Sequence, residues 1–354
     1  MNISSTFIYL TILLFLNSSC VSMESSNAEL RNSTFKSTTI NDTLKFTSGV
    51  RAIFKSSKGN YWFGSHNEGV AVFDGKNFRY YTINDGLPDN QICSIQEDVN
   101  GCIWIGTANG VCSFDGTKIT NHSQALNVNT HNEWKKTDNN LWFNAGIHNG
   151  VYRYDGQSLS YLAFPPQQIA NPDNVYNVTG IAEGKNNMLW IGTYAGVIGY
   201  NGSEFSTVND KTLGLTKETG LLHIRSVFED SKGKLWIGNN GIGVLLKKGD
   251  SVINFSEKMN LIHPANAKTG DKSPAGTLEH VFAIQEDNSG NIWFGDRDTG
   301  VWKFDGETMT NYKVDVHLSS QMTWCIYKDD ENLLFGMANG GVYKFNGKSF
   351  DKMF

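Results

Sequence analysis

The 354-residue sequence predicts an all-β fold, a seven-bladed β-propeller of four-stranded antiparallel blades over residues 43–354, and three observations carry that expectation. A phrase of the form aromatic-x-Gly recurs seven times: Trp62-Phe63-Gly64, Trp104-Ile105-Gly106, Trp142-Phe143-Asn144, Trp190-Ile191-Gly192, Trp236-Ile237-Gly238, Trp293-Phe294-Gly295 and Leu334-Phe335-Gly336. Consecutive phrases lie 42, 38, 48, 46, 57 and 41 residues apart, close to the length of one four-stranded blade. Each phrase also sits in the same context of short apolar runs and tight turns, too short to bury both faces except by stacking around an axis.

The elements of one repeat follow in order. A first strand precedes the phrase and ends in a polar turn, as in Ile92-Cys93-Ser94-Ile95-Gln96-Glu97-Asp98. The second strand carries the tryptophan, which is expected to wedge between neighbouring blades. Burying ~150–250 Å² of it at ~25 cal/mol per Å² contributes roughly 4–6 kcal/mol before entropy, so these seven positions hold the ring together and bind nothing. A Gly-Val pair opens the third strand, as in Gly69-Val70 and Gly300-Val301. Six repeats then carry Asp-Gly or Asn-Gly (Asp74, Asp115, Asp155, Asn201, Asp305, Asn346), a signal for a two-residue hairpin with positive φ. A fourth strand such as Phe78-Arg79-Tyr80-Tyr81 closes the unit. For the last blade, 34–46 is a candidate extra outer strand.

These phrases resemble the two-component regulator propeller repeat, whose wording is nearly reproduced by Asp85-Gly86-Leu87-Pro88, Trp104-Ile105-Gly106-Thr107 and Phe114-Asp115-Gly116. The likeness covers about residues 45–354, is weakest in the third repeat, and lacks the tryptophan in the seventh. In that family the propellers usually form the extracytoplasmic sensory part of hybrid histidine kinases that respond to glycans. The resemblance therefore implies a sensory or binding scaffold, here an accessory lipoprotein with one ring and no kinase within these residues.

In a propeller the first strand lines the axis, and one rim is built from the loops entering it and those joining the second and third strands. The first strands align on Ile53, Ile95, Lys135, Ile181, Val227, Ile284 and Ile326. Four residues upstream stand Gly49, Gln91, His131, Asn177, His223, His280 and Met322; two upstream stand Arg51, Cys93, Glu133, Thr179, Arg225, Phe282 and Trp324. These columns vary while the framework does not, which suits a face free of packing duty. The candidate binding rim is thus Arg51, His66, Gln91, His131, Glu133, His148, Asn177, His223, Arg225, His280, Phe282 and Trp324, with five of the eight histidines. Arg51, Glu133 and Arg225 either pair across the channel or hold a polar or anionic ligand. Trp324 and Phe282 either pack or offer stacking surface to a sugar ring. The insertion 256–277 accounts for the 57-residue spacing and enters from this rim, as a mobile lid or as surface decoration.

No phosphate loop, paired zinc motif or nucleophile elbow is present, so no catalytic residue, metal or cofactor is expected, and binding a small molecule, a glycan or a protein is the first reading. Two alternatives stand beside it. One is a propeller lyase of the streptogramin-lyase type, with His131 near Glu133 or His280 near Glu279 as the base; the other is a flat protein-docking platform. Charged residues make up only 18% of the chain and net charge is -5, with no basic stripe, which excludes nucleic acid as a partner.

Residues 1–20 read as a lipoprotein signal peptide: an apolar run over 7–16 is too short to span a bilayer and is followed by Asn17, Ser18, Ser19 and Cys20. Cys20 would be the acylated residue of an exported lipoprotein facing the periplasm or cell surface, its contact with the membrane confined to the lipid anchor. Residues 21–42, rich in Ser, Thr and Asn, read as a solvated tether. Cys93, Cys102, Cys112 and Cys325 are expected inside strands as small apolar residues, with a Cys93–Cys102 bridge as the alternative.

Overall fold

The structure is a computed structural model that describes residues 43–123, 137, 139–146, 148–165, 177–263 and 272–354. The signal peptide, Cys20 and the tether lie outside the described residues. No helix among the described residues is long and apolar enough to cross a membrane.

Seven antiparallel sheets follow one another along the chain, each meandering from an inner first strand to an outer fourth. The first strands are Val50–Lys55, Ile92–Glu97, Val178–Glu183, Ile224–Glu229, Val281–Glu286 and Thr323–Lys328 for blades 1, 2, 4, 5, 6 and 7. Blade 3 is described from its second strand outward, as Leu141–Asn144, Gly150–Tyr154 and Leu159–Ala163; its expected first strand around Lys135 lies outside the described residues. The first strand of blade 1 packs against those of blades 2 and 7, which closes the ring. The chain is thus a seven-bladed β-propeller of four-stranded blades with almost no helix.

The aromatic-x-Gly phrase performs two packing tasks. Its tryptophans are buried and face the next blade. Trp236 lies 5.5 Å from Phe294 and 6.1 Å from Phe304 of blade 6, and Trp62 lies 5.5 Å from Phe114 of blade 2. Its glycine permits close approach of the following blade: a Cβ on Gly238 would stand 2.4 Å from Ser226 Oγ and 2.7 Å from the Val281 carbonyl oxygen.

Two expectations need correcting, and a third lies mostly outside the described residues. The Asp-Gly turns are four-residue loops, since Phe73 pairs with Phe78 and Asp74 to Asn77 intervene. Only the glycine takes positive φ (Gly75, 92°), while the Asp74 carboxylate accepts the N–H groups of Lys76 and Asn77, an Asx turn that supplies the reversal. The last blade takes its outer strand, Phe350–Lys352, from its own C-terminal segment. Of the candidate extra strand 34–46, residues 34–42 lie outside the described residues; 43–46 form no strand, and Tyr80 of blade 1 accepts from Lys45 N–H and donates to the Thr43 carbonyl. Cys102 precedes its strand, Ile103–Thr107, by one residue, and all four described cysteines are free thiols.

The ends of the insertion are packed. Phe255 is buried against Trp236, Ser256 accepts Val244 N–H, Leu278 N–H reaches the Leu261 carbonyl, and Thr299 donates to the Thr277 carbonyl. Residues 264–271, where a lid would have its tip, lie outside the described residues.

Candidate functional site at the axial mouth

Each described first strand carries a β-bulge at the same step. On blade 1 Val50 pairs with Ser65 and Ala52 with Gly64, which leaves Arg51 as the extra residue. Cys93, Thr179, Arg225, Phe282 and Trp324 are extra in the same way on blades 2, 4, 5, 6 and 7. A bulge releases one side chain from the strand's alternation and re-aims it. All six line one cavity of about 320 Å³ at the mouth of the axis, joined by Gln91, Asn144, Asn177 and Tyr194.

A repeated hydrogen bond ties this rim together. Two residues beyond five of the six glycines of the phrase, the backbone N–H of His66, Ala108, Asn240, Arg297 and Ala338 donates to the carbonyls of Gly49, Gln91, His223, His280 and Met322, at 2.9 to 3.1 Å. The loops between second and third strands are thereby clamped to the segments entering the first strands, and the two columns form one wall.

Along the cavity a chain of rings alternates with guanidinium groups. Arg225 lies 5.0 Å from the Tyr194 ring and 4.8 Å from the Phe282 ring, and donates to Tyr194 Oη at 3.3 Å. Phe282 meets Trp324 edge-on at 5.7 Å. Arg51 lies 5.0 Å over Trp324, with one Nη 3.4 Å from His66 Nδ1, and His66 stacks on Trp324 at 5.4 Å. Trp324 and Phe282 thus serve as props for the cations. Burial, then Arg51, holds the His66 imidazole below its ordinary pKa.

The other candidates fall elsewhere. His223 stands edge-on to Tyr194 at 4.8 Å with Nδ1 3.4 Å from Asn240, and burial, Arg225 and His280 push its pKa down to about 4. His280 is 1% exposed, its Nδ1 2.8 Å from Asn240 Oδ1 and its Nε2 4.0 Å from Asp298, so it lies inside the wall and presents no imidazole to solvent. His148 is exposed and turned toward Tyr161 on an outer strand. His131 and Glu133 lie outside the described residues. Of the candidates, Arg51, Gln91, Asn177, Arg225, Phe282 and Trp324 therefore share the cavity, with His66 beside it. Sequence reasoning missed Tyr194, which stands in the column two residues past the repeated glycine and was findable by aligning that column as well.

Two stretches of the chain, 86–109 and 221–241, match the two component regulator propeller family. No curated protein matches the chain. Solved structures share the ring. The extracellular domain of a hybrid two component system from B. thetaiotaomicron aligns with a TM-score of 0.62 at 21% identity over 87% of this chain, which spans 40% of that one. Virginiamycin B lyase from Staphylococcus aureus aligns with a TM-score of 0.61 at 13% identity, over 86% of this chain and 97% of that one. YCF48 bound to D1 peptide aligns with a TM-score of 0.54 at 12% identity, over 85% and 93%. An extracellular domain of a two component system, a lyase and a protein bound to a peptide share this ring of blades, so function must be argued from the mouth.

A lyase of the expected kind needs an imidazole within hydrogen-bonding distance of a carboxylate in an open pocket. Among the described residues no rim imidazole has one: His66 faces Arg51, His223 faces Asn240, and the His280–Asp298 approach is buried.

Proposed function

We propose that the chain is an exported ligand-binding module of the sensory kind, held at a membrane through Cys20, with the axial mouth as its binding face and a glycan as the class of ligand it answers to. The observation that carries this reading is the set of six bulges, on blades 1, 2, 4, 5, 6 and 7, that turn six side chains of five kinds into one cavity. A framework that repeats its packing residues but spends a bulge in each described first strand on residues of differing chemistry is arranged for recognition. The concavity of the mouth favours a small ligand over a docked protein surface. The match to the two component regulator propeller family at 86–109 and 221–241 supports the sensory reading.

Thermal-shift screening of the full chain against glycans, peptides and divalent ions tests it. The expected result is a shift with a glycan that Trp324→Ala removes. A ligand whose shift survives Trp324→Ala and Arg225→Gln would place recognition away from the mouth, and a response to peptides alone would favour the docking reading.

A further inference from the structure

The axial mouth is cationic in a chain whose net charge is -5. Among the described residues its lining contains Arg51 and Arg225 and no Asp or Glu. Carboxylates near the rim are already engaged. Asp298 is held by Arg297 at 2.8 Å, Asp296 accepts the N–H groups of His280, Asp298 and Thr299, and Glu68 accepts from Thr47 and Ser48.

Neither Arg51 nor Arg225 meets a carboxylate among the described residues. Both are half-buried, and Arg225 Nε is buried with no acceptor. Burial, with Arg51 and Arg297 nearby, lowers the pKa of Arg225 from its ordinary value. A half-buried guanidinium with no carboxylate beside it among the described residues is unfavourable, and stacking on an aromatic face with one hydroxyl acceptor recovers only part of what it loses on leaving water. Stacking does leave the in-plane N–H fork free, in the geometry that grips a planar or tetrahedral oxyanion. A second groove on the rim, about 460 Å³, adds Lys272, Arg297 and Lys313, with Asp298 as its one carboxylate among the described residues.

We propose that the mouth takes an anionic ligand, its carboxylate or sulfate group gripped by Arg51 and Arg225, with Gln91, Asn144 and Asn177 placed to meet neighbouring hydroxyls. This rests on the mouth being the binding face. The stacked rings pre-set each guanidinium, so little rotamer freedom is lost when the oxyanion arrives. A neutral ligand would leave both guanidinium charges unneutralised and the desolvation of Arg225 uncompensated.

Calorimetric titration of the full chain with sodium glucuronate, sodium sulfate and glucose at matched ionic strength tests the assignment. Glucuronate is expected to bind at least tenfold more tightly than glucose. Arg51→Gln and Arg225→Gln are each expected to weaken it by roughly 10- to 100-fold. Arg225→Lys, which keeps the charge and loses the fork, should fall between wild type and Arg225→Gln. Sulfate that competes with glucuronate identifies the bare oxyanion as the recognised group, and glucuronate binding without that competition identifies the carboxylate; both uphold the proposal. Glucose binding as tightly as glucuronate, unaltered in the Gln variants but lost in Trp324→Ala, overturns the anion assignment and leaves the mouth as the binding face. Binding unaltered by all three substitutions overturns both, and absence of heat with every probe at millimolar concentration overturns the anion assignment. Should a Gln variant fail to fold, the preference of the wild-type chain for glucuronate over glucose decides alone.

Discussion

The hydroxyl of Tyr61, on the second strand of blade 1, lies 2.5 Å from a carboxylate oxygen of Asp329, in the turn that leaves the first strand of blade 7. In blades 2, 5 and 6 the matching carboxylates, Asp98, Asp230 and Asp287, accept the indole N–H of the tryptophan in their own blade, at 3.0, 2.9 and 2.7 Å. Blade 7 has Leu334 in place of that tryptophan. Tyr61 supplies the missing donor from across the junction, and Phe354 supplies the missing ring, 5.2 Å from Phe63, 5.0 Å from Phe73 and 5.4 Å from Phe78. Two residues from opposite ends of the ring thus do the work of one.

Removing either should loosen the closure. Tyr61→Phe deletes a charge-assisted hydrogen bond and is expected to cost about 1–2 kcal/mol. Phe354→Ala, at a partly buried position, should cost roughly 2 kcal/mol. Because both act on the same junction, the double variant should lose a different amount from the sum. Denaturant unfolding of the four chains checks this, and strict additivity would mean that the two residues do not share a task.

Ser56 predicts a gain. It stands where Asp98, Asp230 and Asp287 stand in their blades, and among the described residues the Trp62 indole N–H is the one tryptophan donor buried without a hydrogen-bond partner. Trp190 escapes the same fate by reaching Glu229 of the next blade at 2.5 Å, across Gly184. Ser56→Asp is expected to raise stability by about 0.5–1.5 kcal/mol by giving Trp62 an acceptor. An unchanged or lowered melting temperature would show that the carboxylate cannot reach.

Much of this was legible beforehand, and the reasons are local. Tryptophan, glycine and Asx-Gly at fixed intervals encode the blade because each acts within one repeat or on the next. The bulges were not legible, since a bulge at Arg51 or Trp324 leaves the apolar pattern of the strand unchanged and is set by the glycine facing the next residue. Ring closure was hidden as well: nothing around Tyr61 or Phe354 announces a partner some 270 residues away or at the far terminus. His280 shared a column with His223 yet became buried, because Asn240 and the loop carrying Asp298 close over it.

Gly238 tests the packing account of the repeat. A methyl group there would stand 2.4 Å from Ser226 Oγ and 2.7 Å from the Val281 carbonyl, and backbone cannot yield as a long side chain would. Gly238→Ala is expected to cost about 1–3 kcal/mol. Gly75→Ala, at an open turn where only φ of 92° is strained, should cost less, about 1 kcal/mol. Equal losses at the two sites would argue against blade-to-blade contact as the reason for the repeated glycine.

Acid should act through His223. Its imidazole ordinarily titrates at 6.5, and burial, Arg225 and His280 bring it down to about 4 in the folded chain. Between those values the unfolded chain binds the proton more readily, so the contribution of His223 to stability is fully present above about pH 6.5 and is lost as pH falls toward 4. Asp296 opposes it. Burial raises that carboxyl from 3.8 to about 6, so its contribution is present at low pH and is lost as pH rises through 6. The two trends overlap in one window and partly cancel, which makes the bare profile of the wild type uninformative. The difference between wild type and His223→Gln isolates the histidine: the variant should lose less stability than wild type between pH 6.5 and 4, with a constant offset above 6.5. Parallel melting curves across that window would show that His223 takes up its proton in the folded ring as easily as in the open chain.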